Sequence, residues 1–131
     1  MLKDKVALIT GGGQGVGQGI GLALAKQGAH VVVTGRTLEK CEATAELLRA
    51  RGVRALPLRC DVKSAEDLGA TMAATLKEFG KLDILVNNAQ EVARAPLLSI
   101  SDEQMNGNWE SGPLATFRLM KLAHPHLKET R

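Results

Sequence analysis

Apolar positions along the chain follow two alternating patterns. Val6 to Thr10, His30 to Thr34, Val53 to Cys60 and Leu82 to Val86 are short, nearly uninterrupted apolar runs. Runs of that length predict strands covered on both faces. Between them, apolar residues recur every three or four positions, the spacing of an amphipathic helix. Val16, Ile20, Ala23 and Leu24 predict a helix from Gly15 to Gln27, stopped by Gly28. Gly19 and Gly21 weaken it and make sense if it lies close to the sheet or to a ligand. Leu38, Cys41, Ala45 and Leu48 predict a second helix, entered through Thr37 as N-cap and ending near Gly52. Ser64 and Asp67 form an S-x-x-D capping box before Leu68, Met72, Leu76 and Phe79, and Gly80 closes that third helix. Glu91 to Ser99 reads as a loop. Ser101 to Ala123 reads as a helix disturbed at Gly112-Pro113 and ended by His124-Pro125. Pro57 places the third strand at a sheet edge or on a bulge, because proline has no N–H for a central ladder.

Strands alternating with helices four times predict an α/β fold, a doubly wound parallel sheet with helices on both faces. Right-handed crossovers give the strand order 3-2-1-4. A ligand then belongs where the order reverses, at the carboxyl ends of the first and fourth strands. Two polar clusters fall there: the glycines from Gly11 to Gly17, and Asn87 to Gln90.

The glycine cluster joins a strand to a helix N-terminus. Free N–H groups and the positive end of the helix dipole face an anion there, and glycine lets it approach without meeting a Cβ. A phosphate, most simply a dinucleotide pyrophosphate, is expected over this stretch. The pattern is T-G-x-x-x-G-x-G, carried by Thr10, Gly11, Gly15 and Gly17. It is not G-x-G-x-x-G. A nucleoside-triphosphate loop of the G-x-x-x-x-G-K-[ST] type is excluded, since Gln18 stands where lysine would be.

Composition narrows the classes that remain. With 131 residues the chain is expected to form a single domain, 1–131. Aromatic residues are 2%, so the core must be aliphatic and there is no stacking surface for a single-strand nucleic-acid binder. The net charge of +3 is scattered, which favours a solvated mixed surface over a nucleic-acid patch. Cys41 and Cys60 fall in separate elements and predict neither a disulfide framework nor a zinc site. His124 and His126 read as exposed helix-end residues rather than metal ligands. No membrane span or signal peptide is legible, and a cytoplasmic location is the default expectation.

Thr10-Gly11-x-x-x-Gly15-x-Gly17, Asp61-Val62 and Asn87-Asn88-Ala89, in this order, resemble the short-chain dehydrogenase/reductase family. The resemblance runs through the whole chain and matches the family's N-terminal, Rossmann-like half. It implies that Gly11, Gly13, Gln14, Gly15, Val16 and Gly17 line the pyrophosphate and ribose of a nicotinamide dinucleotide. It implies further that Asp61 and Val62 border the adenine, that Asn88 touches the ribose near the nicotinamide, and that Asn87 holds the crevice by bonding to backbone. The choice of cofactor follows from charge. An NAD binder of this kind carries an acidic residue about 20 residues after the glycines. No acidic residue lies between Lys5 and Leu38, and Arg36 stands at the end of the second strand. A guanidinium suits a 2′-phosphate, so NADP is expected, with NAD as the alternative.

The family's catalytic pair is Tyr-x-x-x-Lys, and this sequence has no tyrosine. The resemblance therefore implies a cofactor-binding half that ends before the catalytic segment, with no catalytic residue of its own. Hydride transfer between NADP(H) and a small alcohol or carbonyl substrate is expected if a second half completes it. The alternatives are a non-enzymatic dinucleotide-binding or subunit-interaction module, and an inactive gene fragment. The family's relay asparagine lies three residues before a glycine of the fourth helix. That place before Gly112 is Trp109, with Asn108 one residue away, and Gln90 replaces the usual glycine after Asn-Asn-Ala. Trp109 suits a packing or subunit contact, so a homo-oligomer is an expectation. The fourth strand, lacking a further neighbour, should be an apolar edge, leaving the chain marginally stable or dimeric.

Overall fold

The computed structural model describes all 131 residues. Four parallel strands form one sheet: β1 (Val6–Ile9), β2 (His30–Gly35), β3 (Ala55–Arg59) and β4 (Ile84–Val86). Their order is β3-β2-β1-β4, as the crossover rule predicts. Leu8 pairs with Val32 on one side and Leu85 on the other, so β1 is central. Pro57 lies opposite Val33 in the edge strand β3, where its missing N–H breaks no inner ladder. β4 forms the opposite edge, and its three residues are half-buried.

Side chains alternate across the sheet and build two cores. On one face Val6, Leu8 and Val32 pack with Leu68 and Met72 of α3 (Ala65–Phe79) and Ala115, Leu119 and Ala123 of α5 (Ala115–Thr130). On the other, Ile9, Val31 and Val33 pack with Ala25 of α1 (Gly15–Lys26) and Cys41 and Leu48 of α2 (Leu38–Arg49). Each fully buried leucine or isoleucine contributes about 1.5–3 kcal/mol of transfer free energy. That aliphatic packing carries the fold with almost no aromatic residues.

Helix ends differ from the expected pattern in three places. At Ser64 only half of the capping box forms: its hydroxyl accepts from Asp67 N at 3.1 Å, but the Asp67 carboxylate accepts from Asp61 N at 2.9 Å instead of reaching back. The complete box is at Ser101 and Gln104, opening α4 (Asp102–Trp109). Thr37 caps α2 by position, but its side chain makes no capping bond.

His124-Pro125 does not end the last helix. α4 passes through a π-turn, Glu110–Leu114, into α5, which continues to Thr130. Pro125 removes one backbone donor. Burial of Leu119, Ala123 and Leu127 against the core outweighs that loss, and Thr130 Oγ1 donates to Leu82 O at 2.9 Å. The disturbance expected at Gly112-Pro113 is the π-turn. A π-turn takes up one inserted residue, and Asn108 sits one residue off the family spacing.

Candidate nucleotide-binding cleft

The carboxyl ends of the four strands open into a cleft of about 390 Å³. Its floor is assembled by backbone bonds that tie three loops together. Gly12 N donates to Thr34 O at 2.9 Å and Thr10 N to Val86 O at 3.1 Å. The buried Thr10 hydroxyl accepts from both Asn88 N and Ala89 N at 3.0 Å. The Asn88 amide donates to Thr10 O at 3.1 Å and Gly11 O at 3.0 Å. Asn88, and not Asn87, therefore holds the crevice. Asn87 is exposed and makes none of these bonds. With both amide hydrogens committed, Asn88 turns only its carbonyl oxygen to a ligand.

Of the expected ligand residues, Gly11, Gly13, Gln14, Gly15, Val16, Arg36, Asp61, Val62 and Asn88 all line this one cleft. Gly17 does not. It is buried behind the loop, where a Cβ would come within 2.2 Å of Gly11 O and 2.6 Å of Asn88 Nδ2. Its task is to let α1 approach the loop. Gly11 and Gly15 take positive φ of 65° and 56°, which a side chain resists. A Cβ on Gly21 would lie in ordinary contact with Ile9 and Leu48, at 3.5–3.6 Å, and Gly19 faces open space, so Gly21 faces the sheet and Gly19 does not, but neither position needs glycine for room.

Asp61 is positioned twice over. Its N–H donates to Asp67, and its own carboxylate accepts from Lys63 N at 3.0 Å, closing a short turn. Val62 is buried beside it. Exposed Val16 lies across the cleft at the start of α1. The walls thus offer the edge of Val62, free N–H groups at the glycine loop, and cations at the end of β2. That is the donor set of an adenine dinucleotide: a flat base, a pyrophosphate and a ribose.

Other side chains in the cleft were not singled out by motif. Lys63 and Glu91 form an ion pair at 2.8 Å, linking the loop after β3 to the loop after β4. Their hydrogen bond, reinforced by the opposite charges, holds the Glu91 carboxyl below its ordinary range and the Lys63 ammonium above it. Lys40 donates to Gln14 Oε1 at 2.8 Å. Ser111 in the π-turn accepts from Glu91 N at 2.8 Å, and Asn108 brackets Ala93 by accepting from its N–H and donating to its carbonyl. A charge that pairs with a partner 28 residues away leaves no local spacing, so only the fold reveals these contacts. Cys60 lies under the floor, where burial pushes its thiol upward, and Cys41 is raised by burial as well. No disulfide joins them, and no cluster of metal-binding side chains is present. No helix is long and apolar enough to cross a membrane.

Known proteins share this architecture and sequence. The short chain dehydrogenase family model matches residues 5–131. A 12alpha-hydroxysteroid dehydrogenase from Clostridium sp. is 41% identical over 97% of this chain and 52% of its own length. A peroxisomal 2,4-dienoyl-CoA reductase from Danio rerio is 38% identical over 95% of this chain and 42% of its own. The chain spans about half the length of these relatives. Among solved structures, an alcohol dehydrogenase from the archaeon Thermococcus sibiricus, complexed with 5-hydroxy-NADP, superimposes with a TM-score of 0.92. It is 31% identical, covering 96% of this chain and 54% of that one. By its sheet order, its glycine loop and this match along nearly its whole length, the chain belongs to the short-chain dehydrogenase family.

Proposed function

We propose that the cleft binds NADP(H) and that these residues form the cofactor-binding part of an oxidoreductase acting on a small alcohol or carbonyl compound. Gly11, Gly13, Gln14, Gly15 and Val16 would hold the pyrophosphate and its ribose. Asp61 and Val62 would border the adenine, and the free Asn88 carbonyl would face the second ribose. Gly17 supports them from behind. The bound cofactor supplies a hydride at the nicotinamide ring. The 131 residues hold no tyrosine, so they orient the cofactor and exclude water from its floor, while the Tyr-x-x-x-Lys pair is not among them.

The observation that carries the NADP assignment is the end of β2. Arg36 lines the cleft there, and no carboxylate stands on that strand or its turn to repel a 2′-phosphate. The NADP derivative bound by the Thermococcus sibiricus relative supports the same choice. Titration of the protein with NADPH and with NADH tests it. NADPH should bind at least about tenfold more tightly, the scale of one charge-assisted contact. Equal or tighter NADH binding rules the assignment out.

Exposed Met105, Trp109, Phe117 and Met120 on α4 and α5 support a homo-oligomer formed through that face. We further propose a cytoplasmic location.

A further inference from the structure

A second pocket, of about 370 Å³, lies between α3 and α5 and shares no residue with the nucleotide cleft. Ala65 and Leu68 of α3 line one side. Leu114, which closes the π-turn, lines the other with Phe117 and Leu122 of α5. Ala115, Leu119 and Ala123 of α5 pack on the sheet, and the stripe from Leu114 to Leu122 runs beside them at helical spacing. Leu68 is fully buried, so the floor of the pocket is the core itself.

The remaining lining residues are Arg118 and Lys121, one turn apart on α5, and no acid joins them. Neither takes part in an ion pair. Lys121 sits instead 5.3 Å from the centre of the Phe117 ring. Arg118 is half-buried, so it loses hydration without gaining a carboxylate. An apolar wall with two unpaired cations at its rim complements an apolar tail that ends in an anion. Size selects a small molecule over a protein segment. The volume lies within the range of small-ligand pockets, about 300–1,000 Å³. A docked helix, about 10–12 Å across, would need a wider groove. From Leu114 to Leu122 the wall runs about 12 Å, which suits an extended alkyl chain of medium length.

We infer that this pocket binds a free medium-chain carboxylate, its tail laid on Leu68, Leu114 and Leu122 and its carboxylate held between Arg118 and Lys121. The site is independent of the cleft and stands whether or not the cleft takes NADP. Phe117 borders both this pocket and the exposed helical face, so a second copy of the chain is the competing occupant.

Calorimetric titration with octanoate, decanoate and octanol tests it. Decanoate should bind roughly tenfold more tightly than octanoate, because two more methylenes are buried. Octanol, with the same tail and no charge, should bind about tenfold more weakly than octanoate. Arg118→Gln with Lys121→Gln should bring octanoate down to the level of octanol. Ala65→Phe, at an exposed position, should fill the pocket and abolish binding of all three. Both variants should keep the wild-type affinity for NADPH, which reports that the fold is intact. The inference fails if wild-type protein shows no saturable binding of decanoate, or if octanol binds as well as octanoate. It fails equally if Ala65→Phe still binds decanoate, since the ligand then sits elsewhere. If decanoate binding weakens as protein concentration rises through dimer formation, a second copy fills the groove and the carboxylate reading is overturned.

Discussion

Two glycines only two positions apart in α1 have opposite meanings. A methyl on Gly17 would collide with the Gly11 carbonyl and the Asn88 amide, neither of which can yield without opening the cleft floor. Gly17→Ala should cost about 1–3 kcal/mol of stability, the range for overpacking. It should also abolish dinucleotide binding in the same titration. Gly19 has open space around it and an ordinary helical φ, so Gly19→Ala should stabilise by about 0.5–1 kcal/mol and leave binding unchanged. Urea denaturation of both variants checks the pair, and an equal effect would contradict the steric account. Thr10 makes a similar case for a single oxygen. Its hydroxyl satisfies two backbone donors of the β4 loop at once. Thr10→Val preserves shape but strands both, and should cost about 1–3 kcal/mol in the same experiment.

At the scale of elements, the four strands were legible because each is an apolar run bounded by glycine or a helix cap, and their order because parallel crossovers have one hand. The glycine loop, Arg36, Asp61 and Val62 were legible because motif and topology place them at one end of the sheet. Other features depend on packing. Asn87 and Asn88 are chemically identical, and only the direction in which β4 leaves the sheet decides which amide reaches Gly11. The run through Pro125 was hidden because local propensity argues for a stop, whereas Leu119, Ala123 and Leu127 bury one continuous stripe. If burial holds the helix there against its propensity, Pro125→Ala restores a backbone bond at no packing cost. It should raise stability by about 1–3 kcal/mol, read as a higher denaturation midpoint with an unchanged slope. A lower midpoint would mean that the proline ring itself packs favourably.

For the whole molecule, the two cores and the outer surface make separate demands. Both thiols are buried, one in each core, and burial raises each above its ordinary range. A raised thiol favours the folded state while both states stay protonated. That stability is lost as pH climbs past the unfolded thiol, so melting temperature should fall above about pH 8.5. Cys41→Ala with Cys60→Ala should flatten that part of the profile even though the double variant starts lower. Outside the cores, Trp109 is 58% exposed, Phe117 57% and Met120 55%, all along the α4–α5 face. The β4 edge is apolar too, but its three residues are half-buried, so the helical face presents more apolar surface to a second copy. Sedimentation equilibrium should therefore show a dimer that Phe117→Glu with Met120→Glu converts to monomer, because two carboxylates on each copy would have to be buried unpaired. Neither residue lines the cleft, so the dissociated variant should keep its nucleotide affinity. A dimer that survives both substitutions would place the contact at β4 instead, where a charged residue at Leu85 would then dissolve it.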